Sequence, residues 1–145
     1  MRRIFYNSHL ANMLLLPGYG TAMFFGYIIT KHTDTLPEST QRHESIHAEQ
    51  YAEVTLIAYI IALLLQIMFG GGWWFVPVPF AYYLIYFLEA AFTWFVRVVS
   101  GRASDALDMA YANSMFEQEA RAGENAPGYI ESRKLFAFLR YFGKI

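Results

Sequence analysis

Residues 54–88 are 35 consecutive positions without a formal charge. A helix crosses the hydrocarbon core of a bilayer in about 20 apolar residues, so this run is too long for one ordinary span. It is also interrupted in its middle. Gly70-Gly71-Gly72, Trp73-Trp74, Pro77 and Pro79 do not suit a helix interior. The run therefore predicts an all-α membrane protein built on a helical hairpin. The first span covers about residues 52–69 and continues the polar segment before it. The second covers about residues 80–99. Trp73 and Trp74 fall in the turn, where amphipathic aromatic rings favour the membrane interface. A buried helical hairpin in a soluble protein is the alternative for the same run. Glu89 is the single charge between residues 54 and 96. In a span it needs a partner, and an interior hydrogen bond accounts for it better than catalysis.

The other 22 charges flank this run, nine in residues 1–53 and thirteen in residues 97–145. Lys and Arg stand on both flanks and are missing from the turn, which places both termini in the cytoplasm. A net charge of -1 leaves no cationic surplus to offset phosphates, so nucleic acid is excluded as a partner. The lipid bilayer is the expected one. The absence of cysteine removes disulfides, thiolate metal sites and a Cys nucleophile. A length of 145 residues predicts a single domain.

Outside the hairpin, residues 10–29 are uncharged, but Pro17-Gly18-Tyr19-Gly20 argues against one straight span. The same break, with no small-residue cleavage site after it, argues against reading Arg2 and Arg3 as the start of a signal peptide. Residues 23–30 suit a strand or a short interfacial helix. Ser39 or Thr40 is the expected cap of the next helix. After the second span, Ser104 or Asp105 caps a helix running to about Ala122. The tail from residue 129 alternates Arg133, Lys134, Arg140 and Lys144 with Leu135, Phe136, Phe138, Leu139, Tyr141 and Phe142. That pattern predicts an amphipathic helix on a membrane surface.

The chemistry-bearing motif is His43-Glu44-Ser45-Ile46-His47, an HExxH. Helical positions four apart lie about 40° apart on one face, so both imidazoles reach one Zn2+. Glu44 sits beside them, placed to act on water without ligating the metal. No Gly or Pro interrupts residues 38–68, and Glu44, Ala48, Glu49, Gln50 and Ala52 favour a helix. A catalytic zinc site usually has three protein ligands and water, so a third ligand is needed. No histidine follows His47. Glu117, on the helix after the second span, is the preferred carboxylate. It would share a face with Ala110, Asn113 and Ala120, whose small side chains allow close approach. Glu119 points about 200° away, where a solvated charge is the ordinary expectation. Glu119 and His32 are the alternative ligands. The helical hairpin would return the chain so that His47 and Glu117 end on one side.

HExxH with a downstream Glu on a second helix resembles the gluzincin metallopeptidases. Among membrane members it is similar to the CAAX prenyl protease and heat-shock membrane protease group. There the third ligand begins a Glu-x-x-Ala-Asp pattern; Glu117-Gln118-Glu119-Ala120 matches, and Arg121 replaces the Asp. The chain more closely resembles small bacterial proteins with HExxHxxQxxE, here His43, Glu44, His47, Gln50 and Glu53, followed by AY-x(4)-FExEA, here Ala110, Tyr111, Phe116, Glu117, Glu119 and Ala120. The resemblance implies a zinc-dependent hydrolase of the bacterial inner membrane acting on a peptide or protein, with His43, His47 and Glu117 as ligands and Glu44 as general base. Tyr111, Arg121 and His32 are candidate oxyanion donors. Gln50, Glu53 and Asn113 are candidate supports of the ligands. A zinc site without turnover, with Glu44, His32 or Glu119 as a fourth ligand, is the alternative, as is a membrane interaction module.

Overall fold

A computed structural model describes residues 3–144; Arg2 and Ile145, which the readings of the two termini include, lie outside the described residues. The chain is mostly helical, with a small sheet near its start. Strand β1 (Ile4–Phe5) is followed by helix α1 (His9–Leu14), which Ser8 caps by accepting from the Ala11 N–H. Strands β2 (Thr21–Phe24) and β3 (Tyr27–Thr30) form a hairpin, so residues 23–30 are extended as one of the two readings expected, but in two strands around a turn at Phe25-Gly26. The sheet order is β1-β3-β2, with β1 parallel and β2 antiparallel to β3. One edge of β2 is therefore unpaired within the sheet.

Helix α2 spans Glu38–Phe69. Ser39 and Thr40 lie inside its first turn and not at its cap, which is Pro37. Gly70 (φ +67°) ends it, with its N–H on the Gln66 carbonyl, a backbone position glycine takes without steric cost. Helix α3 spans Ala81–Val99. Both helical stretches, Glu38–Phe69 and Gly72–Val99, are long and apolar enough to cross a membrane. Within this chain the hairpin is not buried. Ten large apolar residues of α2 between Leu56 and Phe69 are exposed, and so are Leu84, Phe87, Leu88, Phe92 and Phe95 on α3.

The return between these helices differs from the expected tight turn. Residues 70–80 run back along α2 in two short 3-10 segments, Gly72–Phe75 and Val78–Phe80. The Phe75 ring meets Tyr59, and Tyr51 donates to the Pro79 carbonyl. Helix α3 thus starts beside the first half of α2. Pro77 and Pro79 lack an N–H and stand where a short 3-10 turn does not need one. From there Tyr82, Tyr86, Glu89, Thr93 and Arg97 form the i, i+4-type stripe that α3 turns inward. Tyr86 stacks on Phe116, and Arg97 pairs with Asp105.

The single helix expected to run to Ala122 is two, α4 (Ala106–Ala112) and α5 (Met115–Gly123), with the break at Asn113-Ser114. Ser114 caps α5 by accepting from the Phe116 N–H, and Glu89 accepts from both the Ser114 hydroxyl and the Met115 N–H. Glu89 has the interior partners a charge in that run requires. The expected amphipathic tail helix does not form. Instead a short helix α6 (Tyr129–Ser132) and a 3-10 turn (Ala137–Tyr141) fold against the molecule. Phe138 enters the core beside Met115, Phe116, Tyr82 and Val54. A buried salt bridge from Arg133 overrides the basic-face reading of the tail.

Candidate metal centre

His43 and His47 lie one turn apart on the polar first half of α2, and α5 crosses over them. Close packing permits this: Ala48 and Ala120 are fully buried, and Gly123 lies against Ile46. The break at Asn113 means Ala110 and Asn113 do not continue the Glu117 face, and Ala120 alone of the three keeps the expected role. Glu117 Oε2 lies 3.4 Å from His47 Nε2 and 3.7 Å from His43 Nε2, and the two Nε2 atoms are 3.1 Å apart. Among the described residues, His43, His47 and Glu117 are the group able to hold a metal ion, with ligand atoms within 4.8 Å of one another.

The outer hydrogen bonds define which atoms are available. His43 Nδ1 lies 2.8 Å from a Glu124 carboxylate oxygen, and His47 Nδ1 lies 2.8 Å from Gln50 Oε1. The Gln50 amide is oriented by its own NH2 group, which donates to the Phe116 carbonyl and to Glu119. Both partners of the Nδ1 atoms are therefore acceptors, and each Nδ1 carries the proton. Each Nε2 presents its lone pair inward. Glu117 Oε2 is buried and has no hydrogen-bond partner. Three electron-rich atoms thus converge with no donor among them. Either a proton on one imidazole or a metal cation relieves that crowding, and the two-nitrogen, one-oxygen set suits a transition metal such as zinc. Burial raises the Glu117 carboxyl; once the imidazoles are protonated and donate to it, they outweigh burial and hold it well below the usual carboxylate range. Its other oxygen accepts from Arg121 Nε at 2.8 Å.

Glu44 is buried beside the pair, and the Met23 backbone N–H reaches it. That contact follows from the register. The Lys31 N–H donates to the Gly20 carbonyl, so bonded pairs fall on Gly20, Ala22 and Phe24. Thr21 and Met23 then turn their backbone groups to the free edge of β2, towards α2. Tyr111, at the end of α4, lies under the Arg121 guanidinium and within reach of Glu117, and burial with that carboxylate pushes its hydroxyl up.

The remaining expected residues separate clearly. Glu119 does not face the histidines and is not solvated. It is fully buried and paired with Arg133 at 2.7 Å. Glu53 bonds Arg133 and the Phe136 N–H. Asn113 ends α4, and its carbonyl accepts from Gln118. His32 lies against Gly20 and outside the metal-ligand group, so it is not brought in as a ligand. Three contributors were missed. Glu124 stands seven residues after Glu117, two turns on along the same face, a spacing that could have revealed it. Tyr82, whose hydroxyl is 3.2 Å from His47 Nδ1, sits in an apolar run that gives no signal. Arg133 is hidden in the basic tail. No family model, characterised protein or solved structure matches this chain.

Proposed function

We propose that the chain is an integral membrane zinc metallopeptidase of gluzincin type. The observation that carries this is the convergence of His43 Nε2, His47 Nε2 and Glu117 Oε2, with the buried Glu44 carboxylate next to them. A zinc ion held by these three residues would supply Lewis acidity to water and to a scissile carbonyl. Glu44 then takes the proton of the attacking water and delivers it to the departing amine. Tyr111 and Arg121, beside Glu117, are the donors for the developing oxyanion. An extended peptide can add to the free edge of β2, where main-chain hydrogen bonds align it past Glu44.

Membrane insertion is supported by what α2 leaves uncovered. Its ten exposed large apolar side chains are 42–73% accessible. Full burial of one such side chain is worth about 1.5–3 kcal/mol. Leaving them about half exposed in water forgoes on the order of 10 kcal/mol, similar to the whole net stability of about 5–15 kcal/mol for a domain. Lipid removes that deficit. The Lys and Arg flanks favour a cytoplasmic side for the site, in a bacterial inner membrane.

The test is Glu44→Gln in the detergent-solubilised chain, with bound zinc and cleavage of a peptide mixture both measured. Zinc stays near one equivalent while hydrolysis falls by about 10²–10⁴-fold, the scale of a general base. Undiminished cleavage overturns the mechanism. A wild-type chain that binds zinc and cleaves nothing makes the site structural.

A further inference from the structure

We propose that Arg133, in the C-terminal tail, is a positioning residue for the metal site, acting on His47 through Glu119 and Gln50. This rests on the metal reading above and goes beyond it by placing a tail residue in the machinery.

Arg133 is 4% exposed in its side chain. Its Nε donates to Glu119 Oε1 at 2.7 Å and one terminal nitrogen to Glu119 Oε2 at 3.1 Å. It also donates to both oxygens of Glu53, at 2.6 and 3.0 Å. Glu53 belongs to α2 and Glu119 to α5, the two helices that carry the ligands. One guanidinium therefore spans both and pairs with two carboxylates, in the planar two-sided geometry that lysine cannot reproduce. Tyr129 adds a hydrogen bond to Glu119 at 2.9 Å.

Glu119 passes this anchoring on. Its Oε2 accepts from Gln50 Nε2 at 3.0 Å. That bond and the one to the Phe116 carbonyl decide which end of the Gln50 amide faces His47. Gln50 Oε1 then takes the His47 Nδ1 proton and leaves Nε2 bare towards Glu117. If Gln50 turned over, its NH2 would face Nδ1, draw the proton to Nε2 and remove a metal ligand. The two middle members of the relay, Gln50 and Glu119, are both at 0% exposure, and His47 is at 8%. No solvent competes for these bonds.

Zinc affinity is measured by competition with a chromophoric chelator on the full chain in detergent, with helix content recorded in parallel. Arg133→Ala should weaken binding about 10–100-fold, the effect of losing an outer support. Arg133→Lys should recover part of that. Arg140→Ala, in the exposed part of the tail, should change nothing. The deciding comparison is the Gln50→Ala background: if Arg133 acts through Gln50, adding Arg133→Ala there costs less than about threefold. Effects that multiply, or wild-type affinity in a helical Arg133→Ala, overturn the proposal. If Arg133→Ala does not fold, Arg133→Lys carries the same cycle with Gln50→Ala. Failure of the wild type to bind zinc overturns the metal reading instead and is seen separately.

Discussion

At the scale of residues, the site is ordered by which atoms have their hydrogen bonds satisfied. Both Nδ1 atoms are occupied, by Glu124 and Gln50, while inside Glu117 Oε2 has no hydrogen-bond partner and the two Nε2 atoms meet each other, at 3.1 Å. This distinguishes the two nearby carboxylates of α5. Glu117→Ala removes an inner atom and should lose zinc with little loss of apo-protein stability, since Arg121 is half exposed and keeps its water. Glu119→Ala should do the opposite in part. It leaves the buried Arg133 with Glu53 as its one carboxylate and removes the acceptor of Tyr129 and Gln50, which costs about 1–3 kcal/mol for buried groups left unsatisfied. Thermal unfolding of the apo chain beside a zinc titration separates them, and equal thermal losses would contradict this assignment. Glu124→Gln keeps an acceptor for His43 Nδ1 but drops the charge, so zinc binding should weaken by about tenfold. An unchanged affinity would mean Glu124 serves only Arg42, whose guanidinium bonds its carbonyl.

At the scale of elements, the sequence was most legible where one local rule decides. The HExxH spacing, the gap in charge and the Gly70 stop correspond directly to α2. The break between α4 and α5 was legible too, because Ser114-x-x-Glu117 has the form of a capping box. It was missed because helix propensity favours an uninterrupted run there. In the structure Ser114 caps α5 while Glu117 turns to the histidines and Glu89 takes up the remaining donors. The tail was not legible, since its fold depends on two distant carboxylates. Glu89→Gln should therefore lower stability by about 1–3 kcal/mol through lost charge-assisted bonds at the start of α5. Equal thermal stability of that variant would show the cap to be redundant. Gly123→Ala is sharper. A Cβ there meets Tyr129 Cδ1 at 2.6 Å and Ile46 Cδ1 at 2.8 Å. Overpacking of this kind costs about 1–3 kcal/mol despite alanine's better helix propensity. A raised melting temperature would show that Tyr129 moves aside freely.

At the scale of the whole molecule, two halves with opposite requirements meet at Tyr51. Below it, α2, α5, the sheet and the tail enclose a polar site. Above it, α2 and its returning 3-10 segments expose apolar surface. At about 1.5 Å per residue, residues 51–69 are roughly 28 Å long, close to the hydrocarbon thickness of about 30 Å. In a bilayer, that alignment would put His47 one turn outside the hydrocarbon and Trp73 and Trp74 at the opposite interface. The path back was not legible: no local rule reports that residues 72–80 already return along α2. Because the chain has no cysteine, single cysteines can be placed without background. Gly72→Cys introduces a side chain that meets nothing in the structure, while Asp34 and Glu131 are exposed positions on the polar half. In intact cells a membrane-impermeant maleimide should label Gly72→Cys, and Asp34→Cys and Glu131→Cys only after the membrane is opened. Labelling of all three in intact cells would contradict a single crossing by α2 and a cytoplasmic metal centre; labelling of none until lysis would contradict the crossing alone.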